Sequence, residues 1–215
     1  MRIVLLGKPG SGKGTQAKRI AASKGIPAVS TGDLIRAAIG DGTPLGRQFL
    51  EYTERGQLVP DPLVVAVVER RFGEPDCAAG FVLDGFPRTV VQAEALDAWL
   101  LERQKPLQRV LNIEVPDAVL VERAAGRRLC SRCGASYHVT FARPERSGLC
   151  DVCDGPLTQR SDDRMNVVEE RLREYEEKTA RVVTFYEKAA LLVGIDGVGS
   201  PDAVEARIGA VLRGL

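Results

Sequence analysis

At 215 residues the chain is long enough for one sizeable core, and its 44% hydrophobic share is that of an ordinary folded protein, which excludes a disordered segment. Thirty basic against twenty-nine acidic residues leave a net charge of +1, so no global field recruits nucleic acid or an anionic membrane, and any anion site has to be built locally. The opening MRIVLLGKPG holds four apolar residues in a row before a glycine and a lysine, and no later run approaches membrane-spanning length, so a cytoplasmic protein without a membrane anchor is expected.

The first element is RIVLL, a continuous apolar run suited to a buried parallel strand. It breaks at Gly7, and KGTQAKRIAASK then reads as a helix with Ala17, Ile20 and Ala21 on one face. Strand, glycine loop and helix in that order form a phosphate cradle. Between Gly7 and Thr15, the loop residues Gly10, Ser11, Gly12, Lys13, Gly14 and Thr15 let backbone N–H groups converge on an anion at a helix N-terminus. Lys13 supplies a mobile charge for the β- and γ-phosphates. The general G-x4-G-K-[ST] pattern fails at its last letter, because Gly14 follows Lys13 and the hydroxyl arrives at Thr15.

Residues 30–59 read as two helical patterns joined at Gly40-Asp41-Gly42. Cys77, in EPDCAAG, has no sequence partner and reads as a small packing residue. The run FVLD ends in Asp84, which places a carboxylate at the carboxyl edge of a buried strand, where the water shell of a Mg²⁺ ion needs an anchor. Asp33 either holds the same shell or caps the helix that it opens. Arg88 follows the turn Gly85-Phe86-Pro87, and its planar fork suits a bidentate grip on phosphate. The apolar runs AVST, RVLNIEV and LLVGID complete an expected five-stranded parallel sheet with the first strand central, in a three-layer α/β fold.

Four of the five cysteines lie between two helical patterns, VLVERAAGRRL and VVEERLREYEEKTARVVTFYEKA, the second expected as one long amphipathic helix. Cys130 and Cys133, then Cys150 and Cys153, form two C-x2-C pairs sixteen residues apart, a spacing that presents four thiolates to one Zn²⁺. The alternatives are two redox pairs or four idle thiols, but the strand-then-helix context of a redox pair is missing. A closed four-sulfur site leaves no open coordination position, so the metal is expected to be structural. The insertion of about forty residues is too small for its own core and needs a metal to hold it together.

Taken together, the glycine loop with its shifted threonine, PAVSTGDLIRAAIG, GQLVPDPLVVAVVERR and the DGFPRT box resemble the adenylate kinases, from Met1 to about Gly197. The resemblance implies a P-loop NTPase-type core (1–29, 60–125 and 164–215), a helical AMP-binding insertion (30–59) and a zinc-binding lid (126–163). It implies Mg²⁺-dependent transfer of the ATP γ-phosphoryl group to AMP, giving two ADP. With no apolar heptad seam or exposed patch in the sequence a monomer is expected, and with the near-zero net charge neither nucleic acid nor membrane is expected as a partner.

Residue by residue, the resemblance puts ATP on the loop from Gly10 to Thr15 and on Arg123 and Arg127, with Arg123 stacked on the adenine. AMP falls to Thr31, Arg36, Leu58, Val59, Gly85, Arg88, Gln92, Arg160 and Arg171. Lys13, Asp84, Arg88, Arg123, Arg127, Arg160 and Arg171 make up the catalytic set, and the pair Asp162 and Asp163 orients the arginines. The chain departs from the family pattern at Lys8, where a small residue is usual, at Asn166, where a glutamate is usual, and at Asp154, where a glycine is usual.

The only histidine, His138, lies inside the cysteine segment, so no general base is expected beside the loop. None is required, because a phosphate monoester with a second pKa of about 6 is already an ionised nucleophile at neutral pH. His138 is expected to be structural or a lid contact. Two rivals stand against this assignment. A UMP or CMP kinase shares the loop and the DGFPR box but typically has a short lid. A nucleic-acid module gripping through the cysteine ribbon has only Tyr137, His138 and Phe141 as ring side chains there.

Overall fold

Five short apolar runs become the centre of the molecule in the computed structural model, which describes residues 1–160 and 163–214. They are β1 (Arg2–Leu6), β2 (Ala28–Ser30), β3 (Phe81–Asp84), β4 (Arg109–Glu114) and β8 (Leu192–Asp196), ordered β2-β3-β1-β4-β8 with every neighbouring pair parallel. β1 is central as expected, with Ile3 beside Val82 on one side and Arg109 on the other.

The runs are apolar throughout because both faces are covered. Val4, Leu6, Leu83 and Val110 face a layer made from α4 (Asp61–Phe72), α5 (Val90–Glu102) and α8 (Ala180–Lys188). Ile3, Leu5, Val82 and Leu111 point the other way, onto α1 (Lys13–Lys24) and α9 (Pro201–Leu212). The result is the three-layer α/β arrangement, with strand carboxyl ends and helix N-termini collected along one edge.

Two helices, α2 (Thr31–Gly40) and α3 (Pro44–Glu54), stand off that edge. Ser30 caps α2, accepting from Asp33 N at 3.3 Å, and Thr43 caps α3, accepting from Gly46 N at 2.9 Å with Pro44 in the first turn. The helices meet closely at Gly46, where a β-carbon would run into the Ala38 carbonyl.

After α6 (Asp117–Gly126) the chain forms a second sheet, antiparallel and three-stranded, from β5 (Arg127–Cys130), β6 (Ser136–His138) and β7 (Leu157–Thr158) in the order β6-β5-β7. Its buried apolar cluster is Cys130, Tyr137 and Cys150, with Ala135, Cys153 and Leu157 packed against them. That is far too little apolar area to hold a fold by itself.

The expected long helix is interrupted. α7 (Met165–Glu174) is joined to α8 through a π-helical turn at Tyr175–Thr179, placed where the helix passes the main cavity. Among the described residues no helix is long and apolar enough to cross a membrane.

Candidate active site

The glycine loop is shaped by what lies behind it. Gly7 has φ 139°, and a β-carbon there would sit 2.5 Å from the Ile113 carbonyl; Gly10 has φ 86°, with the Leu120 carbonyl of α6 at 2.9 Å from the same imagined atom. Any other residue would push the loop off β4 and α6. Gly12 precedes α1 and no side chain caps that helix, so its first-turn N–H groups are open to an anion.

Lys13 Nζ folds back into the loop, donating to the carbonyls of Gly7 at 2.7 Å and Lys8 at 2.9 Å, and lies 3.5 Å from Ser11 Oγ. Enclosure lowers its pKa to about 8, against the pull of Asp84 and with a further push from Arg88, Arg171 and Arg127. The lysine and those three arginines therefore share one electrostatic field.

They line a cavity of about 1120 Å³, above the roughly 300–1,000 Å³ of single-ligand pockets. One wall is the loop from Gly10 to Thr15; Asp84, Gly85 and Arg88 lie at the sheet edge. Arg36 and Leu58 come from the segment 30–59, Arg123 from α6, Arg127 and Arg160 from the roots of the small sheet, and Arg171 from α7.

Three expected contacts, Thr31, Val59 and Gln92, are not part of this wall; each is buried behind it. Thr31 Oγ1 donates to the Gly85 carbonyl at 2.8 Å. Gln92 accepts from Arg88 N at 2.8 Å and donates to Asp61 at 2.7 Å, while Asp61 also accepts from Thr89 Oγ1 at 2.9 Å. This Asp61 brace had no local signal in the sequence. It orients the turn that carries Arg88, whose Nε donates to the Gly85 carbonyl at 2.8 Å.

Two carboxylates organise the arginines. Asp163, 1% exposed, takes a forked pair of hydrogen bonds from Arg127 and lies 4.0 Å from Arg171. Asp162, expected beside it, lies outside the described residues. Asp33 is not the cap of α2, since Ser30 fills that role; its carboxylate is 2.6 Å from Arg36 and 3.6 Å from Arg160, bridging α2 to the root of the small sheet. Burial pushes the Asp33 pKa up, but the Arg36 hydrogen bond and the cations around it outweigh that and hold it below the usual carboxylate value.

The departures also find places. Lys8 pairs with Asp117 at 2.7 Å and Glu176 at 2.5 Å instead of facing the cavity. Asn166 is exposed in the first turn of α7, which has no side-chain cap. Asp154 has φ 56°, a left-handed conformation that suits glycine and that aspartate tolerates, and it pairs with Arg146.

His138 is buried, accepting at Nδ1 from Thr140 N at 3.0 Å and Phe141 N at 3.1 Å, so Nε2 carries the proton toward the Glu122 carbonyl at 3.3 Å. It joins β6 to α6 and has no free nitrogen for proton transfer. Gly126 is required beside it, because a β-carbon would meet the imidazole.

The four expected cysteines converge, with all four sulfurs within 4.8 Å of one another. Cys130 and Cys153 are 3.4 Å apart and Cys133 and Cys150 are 3.5 Å apart, too far for disulfides of about 2.05 Å. Backbone N–H groups of Arg132, Cys133 and Val152 aim at the sulfurs of Cys130 and Cys150, as thiolates holding a metal require. Lys18 of α1 reaches this segment, donating to the Gly134 carbonyl at 3.0 Å.

Comparison with known proteins agrees with this geometry. Residues 5–191 match the family model described as adenylate kinase. The chain is 51% identical over 213 residues to an adenylate kinase of Carboxydothermus hydrogenoformans, covering 99% of this chain and 100% of that one. It is 50% identical over 212 residues to one of Syntrophobacter fumaroxidans (99% and 100%) and 51% identical over 212 residues to one of Moorella thermoacetica (99% and 98%).

Proposed function

This chain belongs to the adenylate kinase family, and from that premise we infer how its residues share the reversible transfer of the ATP γ-phosphoryl group to AMP, giving two ADP. The observation that carries the assignment of roles is the gathering of two lysines and seven arginines, Lys13 and six of the arginines being the expected ones, on one cavity in a chain whose net charge is only +1. Cationic charge is concentrated where two polyanions have to be held against their own repulsion.

The donor triphosphate lies in the loop from Gly10 to Thr15, its terminal phosphates on Lys13, with Arg123 against the adenine and Arg127 on the phosphates. The acceptor is held by Arg36 and Arg88, with its base toward Leu58 and with Thr31, Val59 and Gln92 shaping that pocket from behind. Arg160 and Arg171 meet the acceptor phosphate and the transferring group. These side chains align an already ionised phosphate oxygen with the γ-phosphorus and neutralise the charge spread over the transferring oxygens; no protein base takes part.

Mg²⁺ supplies neutralisation of the β- and γ-phosphate charge when bound. Asp84 fits as the anchor of its water shell, since its Oδ2 lies 3.1 Å from where a β-carbon on Gly14 would stand, against the loop itself. Asp33, committed to Arg36 and Arg160, fits that role less well.

The cysteine donor set fits zinc, whose Zn–S length of about 2.3 Å places tetrahedral sulfurs roughly 3.8 Å apart. Cys130, Cys133, Cys150 and Cys153 would hold it, and the ion supplies cross-linking that the small apolar cluster of this segment lacks. Residues 126–163 then act as a rigid lid over ATP that excludes water, 30–59 as the AMP-binding insertion, and the remainder as the core. The enzyme works in the cytoplasm as a monomer, with nucleotides as its partners.

The test is to supply the purified protein with Mg²⁺ and ADP alone, beside Lys13→Ala. Equal amounts of ATP and AMP formed only by the intact protein support the assignment. ADP left unchanged while ATP plus UMP or CMP reacts overturns the acceptor.

A further inference from the structure

Lys8 belongs to the phosphate loop by its backbone and to two other elements by its side chain. Its carbonyl accepts from Lys13 Nζ at 2.9 Å and from Ser11 N at 3.1 Å, so the cradle depends on how residue 8 is held. Its ammonium does not line the cavity. It lies 2.7 Å from Asp117, the first residue of α6, and 2.5 Å from Glu176 in the π turn.

Each partner sits on the mounting of a nucleotide-binding arginine. α6 carries Arg123. The segment of Glu176 carries Arg171 just before the π turn and Thr179 at its end, where Thr179 Oγ1 donates to the Arg88 carbonyl at 3.0 Å. The Lys8 side chain therefore spans from the loop that holds the donor phosphates to the segment that places two arginines on the acceptor side.

We propose that Lys8 is a positioning residue for phosphoryl transfer: through Glu176 it sets the phosphate loop in register with Arg88 and Arg171, and it does not bind nucleotide itself. The proposal rests on the phosphotransfer function above, for which turnover by the unaltered protein is the control. Exposed ion pairs add little to stability, whereas small misplacements of reacting groups are costly in rate. The signature of such a strut is a change in kcat without a matching change in KM or Tm.

The experiment compares Lys8→Met, Glu176→Gln, their combination and Lys8→Arg, measuring steady-state rates over both nucleotides and thermal melts. Each single variant is expected to lower kcat about 5- to 10-fold, with KM for ATP and AMP within about twofold and Tm within about 2 °C. The combination is expected to be no slower than the worse single variant, and Lys8→Arg to recover most of the rate. Glu176→Gln alters only an exposed carboxylate, so it keeps the comparison available if Lys8→Met folds poorly. An unchanged kcat in both single variants overturns the proposal. So does a multiplied loss in the combination, or a severalfold rise in KM for ATP confined to Lys8→Met, which would make Lys8 a nucleotide ligand. If the unaltered protein does not interconvert ADP with ATP and AMP, the phosphotransfer assignment fails first and takes this proposal with it.

Discussion

A lysine placed to bind phosphate, as proposed for Lys13, carries an electrostatic cost of its own. Although Lys13 hydrogen-bonds to two backbone carbonyls, its enclosure by the loop, with a further push from three guanidinium groups, brings its pKa to about 8 from the ordinary 10.5. A bound polyphosphate supplies the negative charge that restores the ammonium. Binding of ATP at pH 8 is therefore expected to take up roughly half a proton, and close to none at pH 6.5. Calorimetric titration in buffers of different ionisation enthalpy measures this directly, and the uptake should vanish in Lys13→Met. Because the folded pKa is depressed, stability is greatest above the unfolded value and is lost as pH falls through about 8. Lys13→Met should thus melt higher than the unaltered protein at pH 7 while losing turnover, and equal melting temperatures would show that the ammonium is not strained. At this scale the sequence told much, since a lysine between glycines after an apolar strand has few other uses. Gln92 was less legible: its burial follows from Asp61, thirty-one positions away, and no local pattern announces that partner.

Elements were legible where one period dominated. The strands read as unbroken apolar runs because helices cover both faces, and α2, α3, α5 and α9 each begin at a serine or threonine that accepts a first-turn N–H. The π turn was not legible, because the amphipathic pattern of α7 and α8 runs through it without a proline or glycine. The small sheet was legible only through its cysteines. Its apolar cluster consists of Cys130, Tyr137 and Cys150 with three partly buried neighbours, so the thiolates rather than packing must hold β5, β6 and β7 together. Metal analysis is expected to give one zinc per chain. Cys130→Ser, or exhaustive chelation, should lower Tm by at least about 5 °C. It should also reduce kcat while the cavity arginines remain in the chain. A metal-free protein with unchanged Tm and turnover would show that hydrogen bonds alone, such as that from Asp151 N to Tyr137 Oη at 2.8 Å, suffice.

Across the whole molecule, charge is balanced in number and unbalanced in place. The net charge is +1, yet the main cavity gathers Lys13, Lys18, Arg19, Arg36, Arg88, Arg123, Arg127, Arg160 and Arg171, countered by Asp33, Asp84, Glu122 and Glu174 on its walls. Outside it, ions pair across the surface, as Arg71 does with Asp76 and Arg207 with Asp196. Such exposed pairs contribute little to folding and are screened together with the repulsions they offset, so Tm should barely move between low and high salt. On the proposed function the cavity behaves differently, because its cations would meet free polyanions that approach through solvent. At 0.5 M salt the screening length falls to about 4 Å, shorter than the width of a nucleotide site. Raising KCl from 0.05 to 0.5 M should increase KM for both nucleotides severalfold, with Tm shifting by no more than about 2 °C. Salt-insensitive KM values would place the binding energy in the base pockets, with the arginines acting only once the phosphates are sealed from solvent. A parallel fall in Tm would instead assign the surface pairs a share in folding that their exposure argues against.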